Sequence, residues 1–148
     1  MNRLIRVMQV SDIESCLSLW RQVYGVMLNG PANSALALES FLVRNRDMGF
    51  VAEEDGMMVG AILCGHQAEQ GDLDYLAVWP TQRRCGHARD LVTAALLSLA
   101  GQGVTHCHAF VSKRNVESLP FWASVNAELN DDVHFMTMQL DIETAPTA

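Results

Sequence analysis

The sequence of 148 residues contains no run approaching ~18 consecutive apolar residues, so no membrane-spanning helix is expected. Its first residues, Met1-Asn2-Arg3-Leu4-Ile5-Arg6-Val7-Met8, lack the apolar block of a secretory signal, and a cytoplasmic address is the expectation. Cysteines are few: Cys16, Cys64, Cys85 and Cys107, none at metal or redox spacing, which argues against a disulfide framework. Cys107 stands between His106 and His108. On a strand these three alternate faces, and no further ligands follow, so no metal is expected. Bases are scarce too. Ten against 17 acids give a net charge of −7, which repels phosphate backbones and makes nucleic acid a poor partner. The pattern G-x-x-x-x-G-K-[ST] is missing, as is G-x-G-x-x-G after a strand, and so is G-x-S-x-G. A nucleotide P-loop, a dinucleotide fold and a hydrolase elbow are thereby excluded.

What is present is an ordinary globular composition, 49% hydrophobic and 18% charged. A chain of this length buries ~70% of its unfolded surface. No repeat or linker interrupts it, so residues 1–142 form one domain, followed by a polar, frayed tail over 143–148. Residues 4–7 make a first strand. Ser11 caps a helix, with Glu14 three residues on. Ile13, Cys16, Leu17, Trp20 and Val23 recur at helical spacing. Asn29-Gly30-Pro31 breaks the chain, and 35–45 is a second helix. Strands at 50–54 and 57–66 flank Asp55-Gly56, a strong hairpin signal. A polar turn at 67–71 leads to a strand at 73–78, stopped by Pro80. Alternation puts Asp72, Asp74, Leu76 and Val78 on one face of it. Ala88, Leu91, Val92, Ala95, Leu96 and Leu99 form one helical stripe. A strand at 105–111, a short helix at 115–124 and a last strand at 135–140 complete the pattern. The fold class is α/β, with a mixed, largely antiparallel sheet flanked by helices.

The basic residues cluster. Arg83, Arg84, Arg89, Lys113 and Arg114 are five of the ten. Three of them lie in Val78-Trp79-Pro80-Thr81-Gln82-Arg83-Arg84-Cys85-Gly86-His87-Ala88-Arg89: a strand end, a basic loop, a glycine, then the helix. A helix N-terminus presents unpaired N–H groups and a positive dipole end. A glycine there lets a phosphate approach the backbone. The segment is therefore either a pyrophosphate cradle or a plain strand-to-helix turn.

The run Arg83-Arg84-Cys85-Gly86-His87-Ala88 resembles the [QR]-x-x-G-x-[GA] motif of the GNAT superfamily of acetyl-CoA-dependent N-acyltransferases. The resemblance extends over residues 4–140. A bacterial branch often has Gly-His-Asp-Gly-Arg-Arg-Gly before this strand. Here Gly65-His66-Gln67-Ala68-Glu69-Gln70-Gly71 keeps the ends and lacks the arginines. The resemblance implies a GNAT-like sheet with splayed central strands and closing strands after the last helix. It also implies acetyl-CoA as co-substrate. Backbone groups of Leu76, Ala77 and Val78 would pair with the pantetheine arm, and the Val78 N–H would stabilise the oxyanion. Arg84, Cys85, Gly86, His87, Ala88 and Arg89 would wrap the pyrophosphate. Asn115 would contact the cofactor arm. Trp122 would stand near the sulfur, where many members have a tyrosine; indole cannot protonate a leaving thiolate. Asn126-Ala127 replaces the family's usual glycine and aromatic.

A primary amine of pKa ~10.4 is mostly protonated at neutral pH, so attack needs a base. Asp72 and Asp74 are the candidates, or else solvated strand-end carboxylates; Glu53 and Glu54 are weaker ones. Along a straight strand Asp74 lies ~13 Å from Val78 and Asp72 ~20 Å, so a bend or a water relay is required. His108 and Tyr75 are read as packing residues, and Cys85 as a loop filler. The expected activity is acetyl transfer from acetyl-CoA to an amine of a small molecule or peptide. The alternatives are an acyl-CoA sensor or regulatory domain, and a phosphate binder without acyl chemistry. Nothing in the sequence excludes a homodimer.

Overall fold

A two-residue turn organises the sheet. Asp55 and Gly56 take φ of 52° and 84°, the left-handed values that a tight hairpin between twisted strands demands. They join β2 (Gly49–Glu54) to β3 (Met57–Gln67), paired antiparallel with Phe50 opposite Ile62 and Glu54 opposite Met57. The computed structural model describes residues 2–25, 30–112 and 116–140. The expected chain break at Asn29, the basic residues Lys113 and Arg114, the candidate Asn115 and the tail 143–148 lie outside the described residues. The chain gathers into two compact units, Met1–Val111 and Ser112–Ala148, each described by itself.

The first unit holds a five-stranded sheet in the order β1-β2-β3-β4-β5. β1 (Arg3–Val7) runs antiparallel to β2, and β4 (Gln70–Val78) antiparallel to β3. β5 (His106–Ala109) runs parallel to β4. The sheet is thus mixed and largely antiparallel, as the sequence implied. Alternation gives it two buried faces. On one face, Val51, Ala61, Leu63 and Ala77 pack with Ile13, Cys16, Leu17 and Trp20 of α1 (Ile13–Tyr24) and Leu38 of α2 (Ala35–Arg44). The other face is covered by α3 (His87–Gly101), which buries Leu91, Val92, Ala95 and Leu99. Gly60 and Gly71 leave room for it: a Cβ at either would meet Leu91 or Leu99 at 3.0–3.1 Å.

The start of α1 departs from expectation. Ser11 lies inside a short 3-10 turn, Val10–Asp12, and Asp12, just before α1, closes that turn with its side chain and makes no bond to the helix's own N–H groups. Its carboxylate accepts the Gln9 N–H at 2.8 Å and a two-pronged bond from Arg6, both prongs 2.8 Å. A carboxylate held by a guanidinium outcompetes a neutral hydroxyl for that position. Arg6 also donates to Glu53 at 2.9 Å, tying β1 to β2 and to the helix start.

In the second unit, a 3-10 turn, Val116–Ser118, leads into α4 (Leu119–Ser124). Pro120 falls in its first turn, where its missing N–H costs nothing. Asn126 has φ of 68°, and the Ala127 N–H reaches back to the Trp122 carbonyl at 2.9 Å. Asparagine therefore performs the left-handed helix stop for which glycine is the commoner choice. The last strand expected at 135–140 does not appear: these residues adopt no regular secondary structure, and Phe135, Met136, Met138 and Leu140 are exposed. Alternating composition gives a segment strand propensity, but a strand exists only where a neighbour completes its ladder.

Burial alone would raise the Asp12 pKa, but the Arg6 hydrogen bond, the Gln9 N–H and the Arg6 charge together hold it below the usual carboxylate range. A depressed folded-state pKa contributes stability above the unfolded value of ~3.9, lost as pH falls through the folded one. Asp12→Asn is expected to cost about 2 kcal/mol in urea unfolding at pH 7. The gap between variant and wild type should narrow only as pH falls through the lowered folded-state pKa, where the Asp12 carboxylate at last takes up a proton.

Candidate active site

β4 is not a regular strand. Leu63 pairs with Asp74 and Ala61 with Ala77, so Tyr75 and Leu76 together oppose Ile62. Two residues against one make a β-bulge. Tyr75 sits in it at φ 58°, a conformation that costs a bulky L-residue ~1–2 kcal/mol. The bulge corrects the face assignment made from simple alternation. Asp74 shares the α1/α2 face with Leu63, Ala61 and Ala77, whereas Val78, opposite Gly60, has crossed to the α3 face.

The bulge also sets backbone directions. The Trp79 N–H donates to the Val59 carbonyl at 2.9 Å, so Trp79 and Val59 form a bonded pair across the ladder. Antiparallel pairs alternate, which turns the N–H and C=O of Val78 away from β3 and those of Ala77 towards it. On the outer side, β5 pairs with β4 only from Gln70 to Leu73. Beyond Leu73, no strand among the described residues pairs with β4 on the β5 side. The Val78 N–H faces that edge. Its carbonyl accepts Nε of Arg83 at 3.2 Å.

Asp74 lies beside this edge, half-buried. Burial first, and then the charge of Asp72, push its pKa up to about 6. It is therefore a carboxylate at neutral pH, yet a far better proton acceptor than an exposed aspartate.

Beyond Val78 the chain turns through Pro80–Gln82 and the left-handed Arg84 (φ 65°) into Gly86, the N-cap of α3 at φ 85°. A Cβ on Gly86 would stand 2.9 Å from the Arg3 guanidinium. Arg3 in turn pairs with Asp90 in the first turn of α3. One residue on, His87 is buried, with Nε2 3.4 Å from Glu54 of β2. The first turn of α3 is thus tethered to the ends of β1 and β2, with its backbone N–H groups at a glycine step flanked by exposed Arg84 and Arg89.

The sequence profile of the Acetyltransferase (GNAT) family matches residues 13–126. The chain belongs to the GNAT acetyltransferase family. An acetyltransferase of Yersinia enterocolitica is 26% identical over 129 residues, covering 87% of this chain and 90% of that protein. One of Sodalis glossinidius is 26% identical over 136 residues, covering 92% and 94%. Among solved structures, the aminoglycoside acetyltransferase AAC(6')-Iy in complex with a bisubstrate analog superposes with a TM-score of 0.78 at 19% identity. That match covers 95% of this chain and 100% of the other. The PaiA N-acetyltransferase of Thermoplasma acidophilum in complex with coenzyme A gives 0.74 at 18%, covering 84% and 89%. At these identities the structures establish a shared fold. With the family, they make the chain a GNAT-fold acyltransferase.

The residues marked in the GNAT motif fall at one end of the first unit. Val78, Arg83, Gly86 and the start of α3 are consecutive there, and Asp72 and Asp74 share the strand that leads to them. Of the expected phosphate-loop side chains, His87 is turned into the core, so its backbone is what the loop presents. Cys85 is spanned by a weak contact from its thiol to the Arg83 carbonyl at 3.6 Å, in keeping with a loop filler. Trp122 belongs to the second unit, half-buried, with its ring edge-on to Phe121 at 5.3 Å. Glu53 and Glu54 are engaged by Arg6 and His87. Sequence reasoning missed Arg3, Trp20 and Tyr24. Arg3 is 83 positions from Gly86, and no local pattern marks an arginine in a short edge strand as a neighbour of a distant helix start.

A raised carboxyl pKa makes ionisation a burden on the folded state: stability is lost as pH rises from ~3.9 through the folded value. Asp74→Asn should therefore stabilise the protein at pH 7.5 but not at pH 4. In wild type the Asp74 carboxyl carbon should titrate near pH 6 by NMR, and Asp72→Asn should move that midpoint down.

Proposed function

We propose that the protein transfers an acetyl group from acetyl-CoA directly to the amine of a small molecule. The observation that carries this reading is the outward-facing Val78 N–H on the β5-side edge of β4, one short loop from the glycine step at the start of α3. A pantetheine arm is an extended amide chain, and an unpaired strand edge is what such a chain complements. The two ends of the ligand then have separate anchors: N–H groups and arginines for the pyrophosphate, strand edge for the arm. The Gly86 step suits an anionic group: it heads α3 without a side chain, and the Arg3 guanidinium lies 2.9 Å from where a Cβ would stand.

The acceptor amine attacks the thioester carbonyl, and the carbon–sulfur bond breaks as the amide bond forms. The Val78 N–H stabilises the developing oxyanion. Asp74 takes the ammonium proton through water. The bulge supplies the bend that a straight strand lacked, and Asp74 and Ala77 share the face from which an amine would approach. The thiolate leaves without an acid from Trp122, a tolerable step given thiol pKa values near ~8.5. The net charge of −7 favours a cationic acceptor. Neighbouring folds that are named aminoglycoside acetyltransferases support a small polyamine-like acceptor as the first to try. The two units act together in this reading, since the family profile spans both.

Calorimetry should show acetyl-CoA binding that weakens as salt rises. No heat at millimolar acetyl-CoA would overturn the reading. Gly86→Val should abolish binding in a protein that still folds.

Free-thiol release against polyamines, amino acids, aminoglycosides and peptide N-termini identifies the acceptor. With it, Asp74→Asn should lower kcat ~10²-fold at pH 7, with partial recovery at pH 9, where more amine is free. Trp122→Phe should keep activity within ~10-fold. A greater loss with folding and affinity intact would make Trp122 part of the chemistry.

A further inference from the structure

We propose that Trp20 and Tyr24 are positioning residues for acyl transfer: from one face of α1 they hold the Tyr75 and Leu76 carbonyls and so set the bulge that aims the Val78 N–H at the β5-side edge of β4. The proposal rests on that edge being the transfer site.

In a bulge, two residues share one partner, and the extra backbone groups lose their place in the ladder. Here other donors meet them. The Trp20 indole N–H donates to the Tyr75 carbonyl at 2.7 Å. The Tyr24 hydroxyl donates to the carbonyl of the next residue, Leu76. Trp20 and Tyr24 are four apart, adjacent on one side of the helix, so consecutive carbonyls of the strand meet consecutive donors of the helix. Trp20 is fully buried. The Tyr24 phenol is pushed up to about 12, by burial first and then by Tyr75, and stays a donor at any working pH. The Tyr75 ring packs against both, 5.7 Å from Trp20 and 6.3 Å from Tyr24.

The energetic alternative is a regular strand. Without the two donors, the residue opposite Ile62 would return to the ladder, and all that follows would slip by one. A one-residue slip moves every later residue to the other face and exchanges inward and outward backbone groups. Val78 would then point its N–H at β3, and Ala77 would point outward. Tyr75 holds a left-handed φ in spite of its side chain, so the bulge is imposed by its surroundings and not by its own sequence.

Tyr24→Phe removes one oxygen and keeps the ring; Trp20→Phe removes the other donor. Both are compared with wild type by amide NMR of the free protein and by steady-state kinetics. The amides of 75–78 should shift and exchange faster, while those of β2 and the middle of α3 stay in place. With an acceptor in hand, kcat should fall between ~10- and ~10²-fold while the acceptor KM stays within about two-fold. Should Trp20→Phe not fold, Tyr24→Phe decides alone. Unchanged amides at 75–78 in a folded Tyr24→Phe overturn the proposal, as do shifted amides with undiminished kcat. If wild type binds no acetyl-CoA, the acyl-transfer reading fails by itself, and the amide shifts still report whether the two donors set the bulge.

Discussion

The extra residue in β4 is the constraint on which the site depends. A strand in regular pairing commits each N–H either to one neighbour or to the other, in strict alternation. β4 must serve β3 along its whole length and β5 for its first few residues, then turn the Val78 backbone away from β3 beyond the described β5 pairing. The bulge at Tyr75 and Leu76 changes the phase of that alternation between the two duties. Upstream, the carboxylates of Asp72 and Asp74 are set on one face; downstream, the Val78 backbone looks out along the sheet. The cost is a tyrosine in a left-handed conformation, which the packing of α1 offsets.

The electrostatics follow from where each charge sits. The chain is acidic overall, yet the start of α3 gathers arginines around a glycine. Asp74 is made more basic by burial and by Asp72, whereas Asp12, also shielded, is made more acidic because Arg6 grips it from two sides. One carboxylate is held above the usual range and the other below it. The difference is a partner: Asp12 has the Arg6 guanidinium, whereas the charge acting on Asp74 is another acid, Asp72.

The resemblance to GNAT acetyltransferases was carried by six residues between a strand and a helix, and the departures from it have local explanations. Asn126 takes the left-handed position in place of glycine. Trp122 keeps an aromatic ring without a transferable proton. His87 places a polar ring in the core, where Glu54 meets it.

Local chemistry determined a good deal by itself. Asp55-Gly56 specified the hairpin, because only residues tolerant of positive φ make that turn. The apolar stripe from Ala88 to Leu99 specified α3, and the glycine before it the left-handed start of that helix, because helix period and backbone freedom are properties of short segments. Tertiary structure decided the rest. Asp12, not Ser11, closes the turn before α1, because Arg6, itself held across the sheet by Glu53, grips its carboxylate. The residues at 135–140 adopt no regular structure, because an alternating composition supplies faces without fixing where they pack. The bulge was invisible for a like reason: 70–78 has the period of an ordinary strand, and Trp20 and Tyr24, which donate to the carbonyls it displaces, lie some fifty positions earlier. What depends on neighbours in sequence could be read from the sequence; what depends on neighbours in space waited for the fold.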